Sequence, residues 1–209
     1  MKIISTINHK GGVGKSTITT NLAGYFANNK KNNVLLGDFD IQQSSRNWLR
    51  LRPESAAKIN PWDTENGTLP PPSKNISHIL IDSPAGIREE ALNTIVNMSD
   101  KIIVPLKPSA FDMMSTEKFF EEIIAMINKT NKKIDICIVG NMADTRAKSS
   151  ENLSIFIKEL GIQSPTTIRQ AQLYVHMIEN GLCLFDSKST MFEKDLAQWQ
   201  PLLQWVDQK

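Results

Sequence analysis

Short apolar runs alternate with longer amphipathic segments along most of the chain. Near-continuous apolar runs are typical of strands buried on both faces, and apolar positions at helical spacing predict helices that cover them. The predicted strands are residues 2–7, 33–38, 78–82, 101–105 and 134–141. The predicted helices are residues 16–28, 43–51, 88–98, 115–130, 149–160, 170–180 and 190–206. This alternation predicts an α/β fold, with a mostly parallel, twisted sheet flanked by helices on both faces.

Composition adds limits to this prediction without changing it. Hydrophobic residues make up 40% and charged residues 22% of the chain, which is typical of a globular protein. We expect residues 1–209 to form a single domain, with the polar stretch 64–77 as a surface connection. The net charge of +2 allows a nucleic-acid partner through a local basic patch but does not argue for one.

The cysteine content and the lengths of the apolar runs indicate the cellular compartment in which the protein is expected. Cys137 lies in an apolar run and is predicted to be a buried, reduced thiol, and the chain has only two cysteines, so we expect no zinc site or disulfide framework. No apolar run is long enough to span a bilayer, and the first residues do not resemble a signal peptide. We therefore expect a soluble, cytoplasmic protein.

A glycine-rich loop separates the first predicted strand from the first predicted helix. Residues 8–17 read Asn-His-Lys-Gly-Gly-Val-Gly-Lys-Ser-Thr. Glycines let backbone amides approach phosphate oxygens closely, and the helix N-terminus adds partial positive charge. The strand before the loop and the helix after it favour a phosphate-binding loop over a glycine-rich turn with incidental lysines. The expected backbone contacts are Gly11, Gly12, Val13 and Gly14.

The side chains that close the loop have separate expected contacts. Lys15 is predicted to reach the β- and γ-phosphates, the Ser16 hydroxyl to ligate Mg²⁺, and Thr17 to contact the α-phosphate. His9 stands where the ordinary phosphate-loop pattern has a glycine, and an additional lysine, Lys10, opens the loop. The strict pattern therefore fails at its first glycine, and the remainder of the loop carries the prediction.

Three aspartates follow predicted strands. Asp38 and Asp40 are two residues apart, so both point the same way at the carboxyl edge of the sheet, where ligands bind in such folds. Two surface aspartates remain the alternative. Asp82 ends an apolar strand, which is the Walker B arrangement, and is expected to hold Mg²⁺ through water.

The loop and the aspartates together resemble the ParA/MinD family of deviant Walker A ATPases. The resemblance implies a P-loop NTPase fold, ATP and Mg²⁺ as ligands, and a homodimer that sandwiches ATP. The family's signature lysine matches Lys10, which would contact the partner's ATP. By the same resemblance Asp38 would lie near Mg²⁺, and Asp40 would orient the attacking water, so Lys10, Lys15 and Asp40 are the expected catalytic residues. The family's usual proline after the second aspartate is replaced by Ile41.

Two later segments resemble the family's adenine-binding loops. Asn141 and Met142 follow the strand 134–141, and an amide side chain offers both a donor and an acceptor to a base. A turn-forming asparagine is the alternative. The resemblance also assigns Pro165 and Thr167 to a second base-contacting loop, and the turn 83–86 to sensing of the γ-phosphate.

The C-terminal segment decides which branch of the family is favoured. Residues 192–205 carry acidic residues and an internal proline, so their apolar side chains are predicted to pack onto the body of the protein instead of a membrane. Those side chains are Leu196, Trp199, Leu203 and Trp205. The Cys-x-x-Cys pair of metal-cluster carriers is absent from the sequence. The small ParA-type partition or cargo-positioning ATPases without an N-terminal helix-turn-helix domain match best.

This resemblance implies an ATPase that is slow, stimulated by DNA and a ParB-like or other adaptor protein, and associated with the nucleoid. Its ATP dimer would bind DNA without sequence preference, with Arg169 and Lys188 as candidate contacts, although scattered basic residues are often only a solvated surface. The cargo could be a plasmid, a chromosome or a protein compartment. The alternatives are a MinD-like membrane-associated positioning ATPase and a nucleotide-dependent scaffold with negligible turnover.

Overall fold

The computed structural model describes residues 1–29, 31–63, 70–144, 146–187 and 189–208. These residues form a seven-stranded sheet in the order β3-β2-β4-β1-β5-β6-β7, in which every pairing is parallel. The strands are β1 (Lys2–Thr6), β2 (Val34–Asp38), β3 (Asn60–Pro61), β4 (His78–Asp82), β5 (Lys101–Leu106), β6 (Asp135–Ala143) and β7 (Thr167–Arg169). The predicted fold class, a parallel sheet flanked by helices, is confirmed.

Helices cover both faces of this sheet. The α-helices are α1 (Lys15–Asn28), α2 (Ser44–Leu51), α3 (Glu89–Met98), α4 (Ala110–Lys129), α5 (Lys148–Glu159), α6 (Gln172–Glu179) and α7 (Glu193–Asp207). Successive strand residues point to opposite faces, so Ile79 and Ile81 join a core with α3, α4 and α5, whereas Leu80 joins a core with α1, α2, α6 and α7. The carboxyl edge of the sheet lies between these two layers and carries the loops described below.

Several predicted elements needed correction. The two-residue strand β3 and the three-residue strand β7 were not predicted, because both are too short for an apolar run to mark them. Helix α4 begins at Ala110 instead of residue 115, and its first turn is mostly exposed, with Met113 packed against the core. The predicted helix 190–206 divides into a 3₁₀ turn at Thr190–Phe192 and helix α7. Residues 64–69 of the predicted surface connection lie outside the described residues.

Helix α7 packs onto the body of the protein, as predicted. Trp199, Leu203 and Trp205 are buried, and Leu196 packs against the same core. The Trp199 indole donates a hydrogen bond to the Tyr174 hydroxyl at 3.0 Å. The predicted burial of Cys137 is also confirmed. Among the helices that the structure describes, none is both long and apolar enough to cross a membrane.

Candidate nucleotide site

The phosphate loop runs from the end of β1 to the start of α1, and its shape requires glycine. Gly14, the residue before α1, has φ 94°, a left-handed conformation that side chains disfavour. A side chain there would also meet the amide of Asn141 at 2.0 Å. No side chain caps the N-terminus of α1, so its first amides are available to an anion.

Lys15 is folded back onto its own loop. Its side chain is buried, and its ammonium donates a hydrogen bond to the carbonyl oxygen of Lys10 at 2.8 Å. Burial lowers the pKa of Lys15, and the nearby charges of Asp82 and Asp40 oppose that shift. The loop is itself held by Asn8, whose side-chain oxygen accepts from the backbone amide of Lys10 at 2.9 Å. A buried ammonium with one carbonyl partner has donor capacity left for phosphate oxygens.

Asp82 is buried without hydrogen-bond partners. It is 1% exposed, and neither carboxylate oxygen makes a hydrogen bond within the described residues. Burial raises the pKa of Asp82 to about 7, while the hydroxyls of Ser16 and Ser45 lie near enough to oppose the rise. The Ser45 hydroxyl is also buried and unpartnered. Unsatisfied buried groups of this kind are rare in native proteins, and a buried water or a bound ion usually accounts for them.

These oxygen donors fit Mg²⁺, which prefers carboxylate, hydroxyl, water and phosphate oxygens. Asp82 and Ser16 are the candidate ligands, and Asp38, whose charge raises the pKa of Asp82, lies opposite it across the β2–β4 pair. No group of three or more His, Cys, Asp or Glu side chains in the described part of the chain could hold a metal by itself. A magnesium ion here would therefore need further ligands from a nucleotide and water.

The other two aspartates accept hydrogen bonds from the backbone. Asp38 accepts from the amide of Arg46 at 2.9 Å and from the amide of Asp40 at 3.0 Å, which ties the start of α2 to the end of β2. Asp40 accepts from the amide of Gln42 at 2.9 Å and from that of Ala85 at 3.1 Å. Asp40 therefore links the loop after β2 to the turn after β4.

The turn 83–86 also contacts the phosphate loop. The amide of Gly86, at φ 62°, donates to the carbonyl oxygen of His9 at 2.7 Å. The His9 ring lies against α4, where its Nε2 shares a 2.6 Å hydrogen bond with the Ser115 hydroxyl and its ring centroid is 4.8 Å from that of Phe119. The phosphate loop is therefore in direct contact with both the turn after β4 and helix α4.

A cavity of about 420 Å³ lies in front of the phosphate loop. Its walls include Lys15, Thr17, Asp40 and Met142. A second cavity of about 140 Å³ adjoins it, because Thr17, Met142 and Ile178 line both. The first cavity lies where the sequence predicts the phosphates, and the second has an apolar lining of the kind expected for a base.

The lining of the second cavity bears on the predicted base pocket. Asn141 and Met142 line this cavity, whereas its lining does not include Pro165 or Thr167, and Thr167 pairs with Gly140 of β6, so the base contacts of these two residues stay a prediction. The cavity is also lined by residues from the end of β7, the loop after it and α6, of which those after Arg169 were not predicted to belong to the site. These lining residues are Arg169, Gln170, Ala171, Gln172, Tyr174, Val175 and Ile178. Recognising β7 as a strand would have identified them, because loops at the carboxyl edge bind ligands.

Two residues at the junction of the cavities are held in defined conformations. The Asn141 amide donates to the carbonyl oxygen of Val13 at 2.8 Å, so its donor group supports the phosphate loop. Met142 has φ 54°, a left-handed conformation that is uncommon outside glycine and concentrates at functional sites. Base recognition by Asn141 stays a prediction, and its side-chain oxygen and second N–H remain for a base.

The structure describes one of the two predicted DNA contacts, Arg169, and not the other, Lys188. Arg169 makes a bidentate ion pair with the buried carboxylate of Asp195, at 2.8 and 2.9 Å, so it is not the free surface cation that the sequence suggested. The sequence could not reveal this partner, which lies 26 residues further along the chain. Lys188 lies outside the described residues.

The fold and the loop define a P-loop nucleotide-binding protein. A family model described as the CobQ/CobB/MinD/ParA nucleotide binding domain matches residues 4–183, and the chain belongs to this family. The confirmed resemblance rests on the motifs of the first half of the chain, where the loop and the three aspartates stand.

Individual relatives are consistent with this family. The chain is 24% identical over 188 residues to the Maintenance of carboxysome distribution protein A of Halothiobacillus neapolitanus, covering 87% of this chain and 86% of that protein. Its fold is similar to that of apo McdA from Cyanothece, with a TM-score of 0.74 and 14% identity over 97% of this chain and 99% of the other. A putative plasmid partition protein from Borrelia burgdorferi B31 bound to AMPPNP gives a TM-score of 0.73 and 18% identity, over 98% and 99% of the two chains.

Proposed function

We propose that residues 1–209 form a single ATPase domain that binds ATP with Mg²⁺, hydrolyses it slowly, and uses the ATP-bound dimer to position cargo. The observation that carries this proposal is the buried carboxylate of Asp82, which has no hydrogen-bond partner among the described residues and lies near the Ser16 hydroxyl. Ser16 lines the cavity in front of the phosphate loop. A Mg²⁺ ion bound with a nucleotide would satisfy a carboxylate that is otherwise costly to bury.

Each residue of the site has its own expected contact with ATP or Mg²⁺. The amides of Gly11, Gly12, Val13 and Gly14 and the start of α1 surround the phosphates, and Lys15 exchanges its Lys10 carbonyl partner for phosphate oxygens. Ser16 and Asp82 would hold Mg²⁺, with Asp38 behind them. Bound there, the ion would neutralise charge on the β- and γ-phosphates.

Asp40 is held in place by the backbone around it. Both of its oxygens accept backbone hydrogen bonds, one of them from the turn after β4. A carboxylate has about four acceptor sites, so Asp40 has capacity left to orient an attacking water while it stays bonded to the turn that would sense the γ-phosphate. The second candidate function is a nucleotide-dependent scaffold with negligible hydrolysis.

The biological role follows from the family and the relatives. Relatives named for carboxysome distribution and plasmid partition both position large cargo, and we propose the same for this protein, together with a ParB-like or other adaptor. Lys10 would contact ATP across the dimer, and the dimer would bind the nucleoid through DNA without sequence preference. Because the apolar residues of α7 are used in the core, a MinD-like membrane attachment by that helix is disfavoured.

Replacing each loop lysine separates ATP binding from dimerisation. Lys15→Ala is expected to weaken ATP binding by more than about 100-fold, because each charge-assisted hydrogen bond contributes about 1.5–3 kcal/mol. Lys10→Ala is expected to keep ATP binding and to lose ATP-dependent dimerisation and turnover. Calorimetry and sedimentation of both variants measure this, and wild-type ATP affinity in Lys15→Ala would refute the nucleotide site.

The variant Asp40→Ala, compared with the wild type, distinguishes a hydrolysing ATPase from a scaffold with negligible turnover. The variant is expected to bind ATP, to stop hydrolysing it and to remain an ATP-bound dimer, because the attacking water loses its orientation. Mixing it with Lys10→Ala tests whether the lysine acts across the dimer, since one composite site could then recover activity. Normal turnover by Asp40→Ala would remove that residue from catalysis, and undetectable turnover by the wild type with DNA present would favour the scaffold.

DNA binding is tested by a salt titration on unrelated duplexes. The ATP-bound dimer is expected to bind them alike, with log K falling by about 0.9 per phosphate contact for each unit of log salt. Lys188→Glu should weaken that binding equally on every sequence, whereas Arg169 is unsuitable for a charge reversal because of its ion pair with Asp195. Equal binding with ADP and ATP would contradict the switch, and ATP-dependent binding to anionic liposomes in place of DNA would favour the membrane-associated alternative.

A further inference from the structure

A third lysine, Lys107, lies beside the phosphate loop, in addition to the two lysines within it. Lys107 immediately follows the end of β5, and its ammonium nitrogen lies 3.9 Å from the position that a Cβ on Gly12 would occupy. Because β1 and β5 are parallel neighbours, the segments after them leave the sheet at the same edge. The folded chain therefore brings a half-buried lysine from a separate loop against the phosphate loop.

The buried side chain of Asn8 joins these two segments. Its amide group donates a hydrogen bond to the carbonyl oxygen of Pro105 at 2.8 Å, and its oxygen accepts one from the backbone amide of Lys10 at 2.9 Å. Asn8 is 0% exposed, so water does not compete for these contacts. The backbone that leads into Lys107 is thus fixed against the phosphate loop before any nucleotide binds.

The charge of Lys107 is not balanced by a carboxylate. Within the part of the chain that the structure describes, Lys107, Lys10 and Lys15 form no ion pair. At the other end of β5, by contrast, Lys101 pairs with Asp135 at 3.0 Å. Three lysines in or beside one loop repel one another, and an anion in the loop would relieve that repulsion. The grouping therefore favours a ligand with several negative charges.

The order of residues along the loop indicates which phosphate Lys107 would face. Thr17 is expected to contact the α-phosphate, and Lys15 the β- and γ-phosphates. Gly12 precedes Lys15, so in this order it lies toward the terminal phosphate. The lining of the cavity in front of the loop includes Gly12 but not Lys107. A lysine has a flexible four-carbon stem, so its ammonium can turn from beside Gly12 toward a phosphate held at that end of the cavity.

We propose that Lys107 is a specificity-determining residue of the nucleotide site, whose ammonium binds the γ-phosphate of an ATP held by the same chain. The site would then favour ATP over ADP, because ADP has no phosphate at that position. The identity of the ligand rests on the proposed function, whereas the placement of Lys107 against the loop does not. Hydrogen bonds between an ammonium and a phosphate are charge-assisted and are among the stronger polar contacts in proteins.

The test compares binding of ADP with binding of a non-hydrolysable ATP analogue, each with Mg²⁺, by calorimetry. Lys107→Ala is expected to weaken binding of the ATP analogue about tenfold and binding of ADP less than about twofold. Lys107→Arg keeps the charge and should retain most of the affinity for the analogue. The matched control is Lys129→Ala, which removes the same charge from an exposed position in the last turn of α4. Its affinities for both nucleotides should equal those of the wild type.

Dimerisation is separated from direct binding by repeating the comparison in the Lys10→Ala background, which is expected to bind ATP without forming a dimer. The loss caused by Lys107→Ala should persist there. If it disappears in that background, Lys107 acts across the dimer and its assignment to the nucleotide of its own chain is overturned.

The remaining outcomes distinguish this inference from the proposed function. Equal losses for ADP and the ATP analogue, no rescue by Lys107→Arg, or the same loss in Lys129→Ala would each overturn the role of Lys107 in selecting ATP. A wild type that binds the analogue, with Lys107→Ala unchanged, refutes this inference alone. A wild type that binds neither nucleotide refutes the proposed function, and this inference with it.

Discussion

The nucleotide site and the C-terminal helix each bury an aspartate, and the two are held in opposite ways. Asp82 is 1% exposed and has no hydrogen-bond partner in the described part of the chain, whereas Asp195 is 0% exposed and accepts two hydrogen bonds from Arg169. Burial of an unpaired charge costs free energy, and burial of a paired one costs much less. The first arrangement is the one that our proposed Mg²⁺ and nucleotide ligands would satisfy, and the second joins α7 to β7.

Buried lysines show the same contrast. Lys101 is 2% exposed, pairs with Asp135 at 3.0 Å and lies 4.5 Å from the ring centre of Trp205, so its charge is satisfied inside the fold. Lys15 is 7% exposed and has the Lys10 carbonyl as its partner. Burial alone therefore does not identify a functional charge. Among the described residues Lys15 forms no ion pair, and this lack of a charged partner is what distinguishes it from Lys101.

Removing the satisfied charge should have the largest effect on stability. Asp195→Ala is expected to lower the free energy of unfolding by about 2–3 kcal/mol, because it removes a fully buried carboxylate that accepts two charge-assisted hydrogen bonds from Arg169, whose own side chain is largely exposed. Urea denaturation measures this. The control is Asp144→Ala, which removes the carboxylate of the exposed Asp144–Arg146 pair and should leave the midpoint unchanged. Equal midpoints for Asp195→Ala and the wild type would remove the contrast between the two buried aspartates.

Removing the unsatisfied charge should have the opposite sign. Asp82→Asn keeps the shape of the side chain without its charge, so the nucleotide-free protein is expected to gain about 2 kcal/mol of unfolding free energy at neutral pH. The same variant should lose Mg²⁺-dependent ATP binding. Denaturation in metal-free buffer and calorimetry with ATP give the two readouts, and a destabilised variant that still binds ATP with Mg²⁺ would show that Asp82 is structural.

The pH dependence of the free energy of unfolding also tests whether the charge of Asp82 destabilises the nucleotide-free protein. The pKa of Asp82 is raised from its ordinary value to about 7, so the folded protein retains a proton that the unfolded chain has released. Stability from this group is complete at acidic pH and is lost as the pH rises toward 7, at up to about 1.4 kcal/mol per unit, then levels off. The advantage of Asp82→Asn should therefore grow between about pH 5 and about pH 7. A constant difference across that range would contradict the raised pKa.

The smallest expected effect concerns the contact between the phosphate loop and α4. Ser115→Ala removes the hydrogen bond to His9 and should lower the free energy of unfolding by about 1 kcal/mol, with ATP affinity reduced a few-fold. Ser154→Ala, which removes an exposed hydroxyl contact on α5, is the matched control. If both variants behave alike, His9 does not position the loop.

The sequence alone determined the features that depend on neighbouring residues. Apolar runs and helical spacing identified five of the strands and the order of helices, and the glycine-rich loop with Asp38, Asp40 and Asp82 located the nucleotide site. Packing of Trp199 and Trp205 followed from the polarity of their own segment. Each of these rests on periodicity or on a motif within a few residues, which is the range over which a single sequence carries direct information.

Tertiary structure decided what depends on residues far apart in the chain. The Asn141–Val13 hydrogen bond joins residues 128 positions apart, and the ion pair that occupies Arg169 comes from a separate helix. The unsatisfied state of Asp82 is likewise a property of its surroundings, not of the strand that carries it. Whether a buried charge has a partner is settled only when distant elements pack, because the free energy of burial depends on every group that the fold places beside it.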